Sequence, residues 1–141
     1  ILTHLPMSFI AGVKKKKFVD QGTVTSLQYK WINKNPFRSM YFAAMQMAAE
    51  LNTGLLLFQY LNKKTRFSML LVSAEANYSK KAIGNITFSC LQGENVDLYI
   101  SSMLSNAEGQ SITLPVVAIN EDGDEVAEFK FTWSCRRSKT T

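Results

Sequence analysis

The first third of the chain contains one alternating stretch that lies between two breaks. Residues 6–13 predict a short helical turn that ends at Gly12, and the lysine run 14–17 predicts a solvated surface turn rather than a phosphate site. In residues 23–31 apolar and polar side chains alternate, which is the pattern of a half-buried strand. The strand ends before Pro36, because proline forces the residue that precedes it out of the helical region.

The longest apolar stretch follows this break and has helical spacing. One face carries Met40, Ala43, Ala44, Met47, Ala48 and Leu51. Most other positions are apolar too, so we expect a helix that is buried on nearly all sides. Ser39 is placed to cap this helix and Gly54 to end it. Residues 55–61 fit either a last helical segment or a short strand.

The second half of the chain alternates as strands do. We predict four strands, at residues 69–78, 84–90, 112–119 and 126–135, and a short helix at residues 95–104. In the first of these strands, one face is expected to carry Leu70, Val72, Ala74, Ala76 and Tyr78. The acidic run 121–124 predicts a hairpin turn between the last two strands.

The order of these elements and the composition together indicate the fold class. A strand, a long helix and a run of antiparallel strands argue for a single α+β domain over residues 1–141, with the helix packed on one sheet face. The chain has 141 residues, of which 46% are hydrophobic and 19% charged, so it is long enough and apolar enough for one core.

Charge and apolar segments limit the partners. The net charge of +5 leaves nucleic acid, a membrane surface and a phosphorylated cofactor open, but the lysines are not interleaved with aromatic residues, so we do not expect nucleic-acid binding. The apolar first ten residues precede the lysines instead of following them, which is not the pattern of a signal peptide. Residues 40–61 are long enough to cross a bilayer, yet Glu50 lies in their middle. We therefore expect no membrane span and a cytoplasmic protein.

Cysteine and histidine are scarce, which limits the available chemistry. Cys90 and Cys135 each end an apolar run, and this is typical of two buried, reduced thiols. No spaced set of cysteines and histidines occurs, so we expect no metal site and no cofactor. His4 is the only histidine and lies near the start, so the usual general base is missing from most mechanisms.

The stretch 35–54 resembles the central-helix signature of the hotdog-fold acyl-CoA thioesterases. It is most similar to the phenylacetic-acid-pathway type and to a related thioesterase-like family of unknown function. In those proteins an Asn-Pro turn leads into a His-Gly-Gly segment and the helix, with an Asp or Glu at a fixed distance downstream. Aligned without gaps, Asn35 and Pro36 match the turn, and Glu50 falls on the catalytic acid.

This resemblance covers nearly the whole chain and implies both fold and assembly. The implied architecture is the hotdog fold, in which an antiparallel sheet wraps one long central helix. The resemblance also implies a homo-oligomer, either a dimer or a tetramer. Its site at the subunit interface would take Glu50 from one helix and backbone donors from the other chain, with acyl-CoA or another acyl thioester as substrate.

The sequence departs from the family pattern at one important place. The His-Gly-Gly segment is replaced by Tyr41, Phe42 and Ala43. In the family, a small residue there lets a backbone N–H approach the thioester carbonyl and stabilise the developing oxyanion. The bulky Phe42 narrows this approach, whereas the N–H groups and the electropositive helix N-terminus do not depend on the side chain.

Glu50 is the strongest candidate for chemistry. It is the only charged residue between Arg38 and Lys63, and a carboxylate on a buried helix is costly unless it is paired or hydrogen-bonded. Apolar surroundings should raise its pKa. Such a group can activate water as a general base or attack the thioester as a nucleophile. The alternative is a structural role, in which Glu50 bonds a backbone group or faces the polar rim of a partner subunit.

Three further candidate residues precede Glu50 in the sequence. Asn35 either orients substrate or water or is an ordinary turn residue, and Tyr41 either replaces the missing histidine as a donor or packs in a core or interface. Gln46 lies one helical turn before Glu50 and either shares its pocket or is a buried amide satisfied by the sheet.

Two lysines complete the set of candidate residues. Lys80 and Lys81 lie where the family has basic residues near the CoA phosphates, and their alternative role is a solvated turn.

The resemblance and these candidate residues leave three functions to consider. The first is an acyl-CoA thioesterase that works as a homodimer. The second is a non-catalytic protein that binds acyl groups or another hydrophobic ligand, which the departure at Phe42 favours. The third, a hotdog dehydratase, needs a histidine beside the carboxylate, and the position of His4 outside the helix argues against it.

Overall fold

The computed structural model describes residues 3–19 and 21–138. The helices are α1 (Pro6–Ala11), α2 (Phe42–Phe58) and α3 (Gly93–Ser105). The strands are β1 (Lys14–Val19), β2 (Gly22–Gln28), β3 (Phe67–Tyr78), β4 (Asn85–Cys90), β5 (Gln110–Ile119) and β6 (Glu125–Arg137). A short 3-10 turn, Trp31–Asn33, lies between β2 and α2.

The six strands form one antiparallel sheet in the order β1-β2-β4-β5-β6-β3, and α2 packs on one of its faces, against β2, β4 and β5. The predicted α+β class is confirmed. Alanines make this close packing feasible, since Ala48 and Ala49 are fully buried where the helix meets the sheet. Phe88 and Phe131 fill the sheet side of the same core.

Buried polar groups fasten α2 to the sheet. The Thr25 hydroxyl of β2 donates to the Ala48 carbonyl at 2.9 Å. The Asn52 amide donates to the Phe88 carbonyl at 2.6 Å and to Thr25 Oγ1 at 3.2 Å. Buried polar groups of this kind are tolerated because they are hydrogen-bonded, and they fix the position of the helix along the strands.

Both predicted ends of the long helix are wrong. The helix begins at Phe42 with Tyr41 as its N-cap, while the Ser39 hydroxyl contacts the Asn35 side chain instead. It continues through Gly54 to Phe58, so the ambiguous residues are mostly helical. Tertiary packing explains the second difference, because burial of the last turns outweighs the low helix propensity of one glycine.

The lysine run is not a surface turn. Its backbone forms β1, the edge strand that pairs with β2, with Lys14 opposite Ser26. Lysines are common on edge strands, because their charge discourages pairing with another chain. The alternating stretch before the long helix is also shorter than predicted, since β2 ends at Gln28 and Trp31 is 77% exposed in the following turn.

The predicted face of β3 is wrong because the strand contains a bulge. The register with β6 shifts between Leu71 and Ser73, which inserts Val72 as an extra residue. Leu70 pairs with Ser134 on the outer face, whereas Ala74 pairs with Phe131, whose side chain is in the core. The residues expected on one face are therefore divided between two.

The remaining elements confirm the predictions. Strands β4, β5 and β6 and helix α3 lie where the patterns placed them, and the hairpin turn closes with the Asn120 N–H donating to the Asp124 carbonyl at 2.9 Å. Helix α1 ends at Gly12, whose φ of 92° suits glycine. Cys90 and Cys135 are buried free thiols.

Candidate functional site

Glu50 lies in the third turn of α2, at the junction of two cavities. Its side chain is half-buried, and burial raises the pKa of its carboxyl above the ordinary value. Among residues 3–14 and 21–138, no side chain or backbone group forms a hydrogen bond or ion pair with this carboxylate. The structural pairing considered from the sequence is therefore not present within this part of the chain.

The first cavity, which we call the apolar cavity, has a volume of about 410 Å³. It lies between the C-terminal half of α2, strand β3 and strand β6. Its lining residues are His4, Leu5, Glu50, Leu51, Gly54, Leu55, Phe58, Met69 and Trp133. Its size falls within the range of small-molecule sites, and its walls are hydrocarbon except at Glu50 and His4.

The second cavity, which we call the helix-entry groove, has a volume of about 300 Å³ and is more open. It runs along the first two turns of α2 and is lined by Phe42, Ala43, Gln46, Met47 and Glu50. The groove thus brings together four of the residues singled out from the sequence. Glu50 is the residue that both cavities share.

A short chain of hydrogen bonds supports the backbone of Glu50. The Thr53 hydroxyl donates to the Glu50 carbonyl at 2.9 Å, and the Trp133 indole N–H donates to Thr53 Oγ1 at 2.8 Å. The indole ring of β6 is thereby held against α2, where it forms one wall of the apolar cavity. Trp133 and Thr53 carry no sequence motif, and only the folded arrangement identifies them.

The first four backbone N–H groups of α2 differ in whether they have a protein acceptor. The Ala44 and Met45 N–H groups donate to the Tyr41 carbonyl at 3.0 and 3.2 Å. Within residues 21–138, the N–H groups of Phe42 and Ala43 have no protein acceptor, as expected for a first helical turn. These N–H groups belong to the N-terminus of the helix, which is electropositive and therefore favours an oxyanion.

An aromatic cluster lies beside these donors. The Phe42 ring meets the rings of Tyr41 and Tyr78 at centroid distances of 4.9 and 6.0 Å, both edge to face. The Tyr78 hydroxyl donates to the Phe42 carbonyl at 3.3 Å. Phe42 remains 53% exposed, so its ring lies at the surface and does not fill the groove.

Asn35 and Tyr41 line neither cavity. Asn35 Oδ1 accepts the N–H groups of Phe37 at 2.8 Å and of Ser39 at 3.3 Å, which closes the turn before α2. Tyr41 contributes its carbonyl to the helix cap and leaves its side chain exposed. In this chain both residues therefore shape the entry to the helix.

The two lysines lie at the surface on the same side as this turn. Lys81 Nζ donates to the Phe37 carbonyl at 3.1 Å, and Lys80 Nζ pairs with the Asp124 carboxylate at 2.6 Å. The Asp124 side chain keeps the pKa of Lys80 raised. Both ammonium groups are accessible, so a phosphate can still approach them.

His4 is the residue whose place the sequence did not predict. It is far from Glu50 along the chain, yet it lines the same apolar cavity. No sequence pattern linked His4 to Glu50, because tertiary packing sets the position of the residues that precede α1. A histidine and a carboxylate thus line the same cavity.

The described part of the chain contains neither a metal-binding cluster nor a membrane-spanning helix. Over residues 3–19 and 21–138, no three His, Cys, Asp or Glu side chains cluster as a metal ion requires. In the same residues, no helix has the length and apolar character needed to cross a membrane.

Solved structures with the same fold are thioesterase-like hotdog proteins. A protein of unknown function from Pseudomonas aeruginosa has a TM-score of 0.82 at 20% identity, over 97% of this chain and 92% of that one. A mutant thioesterase from the same organism has a TM-score of 0.75 at 11% identity, over 94% and 86%. A thioesterase from Haemophilus influenzae has a TM-score of 0.73 at 12% identity, over 93% and 82%. At these identities the likeness shows a shared fold.

Comparison by sequence gives the family. No curated protein matches the chain. The family model described as a domain of unknown function (DUF4442) matches residues 12–135, which is most of the chain. The protein therefore belongs to the DUF4442 family, and its fold is that of thioesterase-like proteins.

Proposed function

We propose that this protein hydrolyses an acyl thioester, with Glu50 as general base or nucleophile. The observation that carries the proposal is the position of the unpaired Glu50 carboxylate between the apolar cavity and the helix-entry groove. An acyl group suits the hydrocarbon walls of the cavity, and the polar thiol carrier suits the open groove. The thioesterase-like structural neighbours support the same reaction class.

The reaction can proceed by two routes. As a general base, Glu50 takes a proton from water, the hydroxide adds to the thioester carbonyl, and the C–S bond breaks to release a thiol and a carboxylic acid. As a nucleophile, Glu50 itself displaces the thiolate, and water then hydrolyses the mixed anhydride. In both, the carbonyl oxygen gains negative charge that backbone N–H groups stabilise.

The length of α2 argues that two subunits form one site. Phe42 and Glu50 are eight residues apart, which is about 12 Å along a helix at 1.5 Å per residue. A single carbonyl must lie about 3 Å from its oxyanion donor and close to the base, so one helix does not serve both roles. We therefore assign Glu50 to one subunit and the donors at Phe42 and Ala43 to the partner subunit.

Strand β3 supports a homodimer by its position. It is twelve residues long and forms the sheet edge opposite β1. A long edge strand without charge clusters or proline invites pairing with another chain. A second copy that pairs along β3 would cover this edge and bring the two sheets into one.

The cysteines are consistent with a cytoplasmic location. Burial raises the pKa of the Cys90 thiol to about 12, and burial also raises that of Cys135. Both are thus inert protonated thiols, which suits a reducing compartment.

A non-catalytic ligand-binding protein is the second candidate. Phe42 favours it, since its ring, packed against those of Tyr41 and Tyr78 at the helix N-terminus, stands where the resemblance expects a small residue. In that case the apolar cavity would bind an acyl group without cleaving it.

Thiol release from a panel of acyl-CoAs and acyl carrier-protein thioesters separates the two. We expect wild-type turnover that falls at least a hundredfold in Glu50→Gln, because removing a catalytic base or nucleophile has roughly this effect or more. Glu108→Gln makes the same chemical change at an exposed loop position and should retain full activity. Folded wild-type protein that releases no thiol from any substrate would leave the binding function in its place.

A further inference from the structure

Gly54 lies in the interior of α2, at a position where the backbone conformation does not require a glycine. It is helical, and it is not among the glycines with positive φ, which are Gly12, Gly84 and Gly123. Glycine is the least favourable helix residue after proline, because it loses the most backbone freedom on folding. Alanine would therefore be preferred here if helix stability alone decided the residue.

The surroundings of Gly54 do not exclude a side chain either. A Cβ at this position would lie 3.5 and 3.6 Å from Trp133 Cζ2 and Cη2, and 3.8 Å from Glu50 Oε1. These are ordinary van der Waals contacts, so a methyl group fits without moving the ring or the carboxylate. The missing side chain leaves open space at one particular place, between the indole ring and the proposed catalytic oxygen.

We propose that Gly54 determines specificity, by keeping open the passage between Glu50 and Trp133 through which the hydrocarbon body of an acyl group enters the apolar cavity. This inference rests on the proposed thioester hydrolysis. An acyl carbon next to a carbonyl at Glu50 would lie beside Gly54, one helical turn further along α2. A methyl group there narrows the passage for long or bulky acyl groups and leaves an acetyl group unaffected.

The cavity walls define the class of acyl group. Apart from Glu50 and His4, the side chains that line the cavity carry no charged group, among them Leu51, Leu55, Phe58 and Met69. A free carboxylate at the far end of the acyl chain would be desolvated among these hydrocarbon side chains and repelled by Glu50. Acyl groups derived from dicarboxylic acids should therefore be poor ligands. The substrate class is therefore an unsubstituted hydrocarbon acyl thioester.

The test measures binding without turnover. The probes are the S-decyl, S-ethyl and S-(9-carboxynonyl) thioethers of N-acetylcysteamine, which have no cleavable thioester and mimic the end of either thiol carrier. Trp133 reports binding by its fluorescence, in a Trp31→Phe background that removes the exposed second tryptophan. Gly54→Ala should weaken S-decyl binding about tenfold and leave S-ethyl binding within about twofold.

Stability serves as the internal control. Gly54→Ala should raise the melting temperature, because alanine favours the helix, so weaker binding would not reflect unfolding. Ser102→Ala stabilises the exposed face of α3 and should not alter binding of either probe.

Each outcome bears on one claim. Equal losses for the decyl and ethyl probes, or no loss for the decyl probe, would overturn the role of Gly54. Equal affinities for the decyl and carboxynonyl probes would overturn the hydrocarbon class. Length-selective binding that Gly54→Ala removes, together with no hydrolysis of the decanoyl thioester, would support the specificity assignment and refute the proposed hydrolysis alone.

Discussion

At the scale of single residues, the carboxyl of Glu50 differs from every other acid in the described chain by its surroundings. Burial raises its pKa, with no hydrogen bond or cation among the described residues to oppose the shift. Asp124, by contrast, has its pKa lowered by Lys80 at the exposed hairpin. A carboxyl group in a cavity whose pKa is shifted by burial is typical of catalytic acids and bases.

The first prediction concerns the pH dependence of turnover. Glu50 must be ionised to act as base or nucleophile, and its pKa lies above the ordinary value of 4.5. Activity should therefore fall on the acid side with a midpoint above that value, because the carboxyl becomes protonated there. The kcat/KM profile measures this midpoint. A midpoint at or below the ordinary value would contradict a buried glutamate as the essential base.

The second prediction concerns stability. Because the folded protein disfavours the Glu50 carboxylate, its contribution to stability is fully present below the unfolded pKa and is lost as pH rises through the raised folded pKa. Glu50→Gln should thus raise the melting temperature at pH 7 while it abolishes turnover. The gain should disappear below about pH 4, where both states are protonated. A structural role for Glu50 predicts the opposite sign at pH 7, which thermal unfolding at both pH values distinguishes.

At the scale of elements, the contact between α2 and the sheet determines where the site lies. Asn52 is fully buried and reaches from the helix to the Phe88 carbonyl of β4 and to Thr25 of β2. It stands two residues after Glu50, on the opposite side of the helix from the cavities. The same helix turn therefore holds the position of the carboxylate and presents it to the cavities.

The third prediction tests how much the hydrogen bonds of Asn52 between α2 and the sheet stabilise the fold. Asn52→Ala removes two buried hydrogen bonds between α2 and the sheet, so we expect a loss of about 1–3 kcal/mol in unfolding free energy. Denaturant unfolding measures it. Gln59→Ala, at the exposed end of the same helix, should change the free energy by less than about 0.5 kcal/mol. Similar losses in both variants would argue against a special role for Asn52.

At the scale of the whole molecule, the proposed site takes α2 from each of two subunits and therefore requires a dimer. The mass of one chain is 15.9 kDa, so sedimentation should give a mass of about twice that value for the proposed dimer. Mass alone does not show that both subunits contribute to one site. Complementation between two inactive variants does, because each can supply what the other lacks.

The fourth prediction is such a complementation. Phe42→Pro removes one backbone donor at the first helical position, where proline is tolerated and where Tyr41, with ψ of 130°, already has the extended conformation that proline requires. We expect Phe42→Pro and Glu50→Gln to be inactive alone. When they are unfolded and refolded together, random pairing should restore about a quarter of wild-type activity.

The control separates the donor from the ring. Phe42→Ala removes the aromatic side chain and retains the N–H group, so it should stay active and should not depend on mixing. Failure of the mixed variants to regain activity, with dimers present by sedimentation, would place both groups in a single subunit.

The sequence by itself determined the class of fold and the main candidate residue. Alternation over residues 126–135 and helical spacing from Met40 onward are local patterns, and the described structure contains both elements. Glu50 was identifiable because a lone charge in a long apolar helix is costly and therefore informative.

Only the tertiary structure decided the ends of α2, the face reversal in β3 and the make-up of the cavities. Gly54 reads locally as a helix stop, but burial of the next turn at Leu56 and Leu57 keeps the helix going. The bulge at Val72 depends on the partner strand β6, which the pattern of β3 does not contain. His4 and Glu50 line one cavity because the fold brings together segments that are far apart in the chain, and no local spacing in the sequence predicts this.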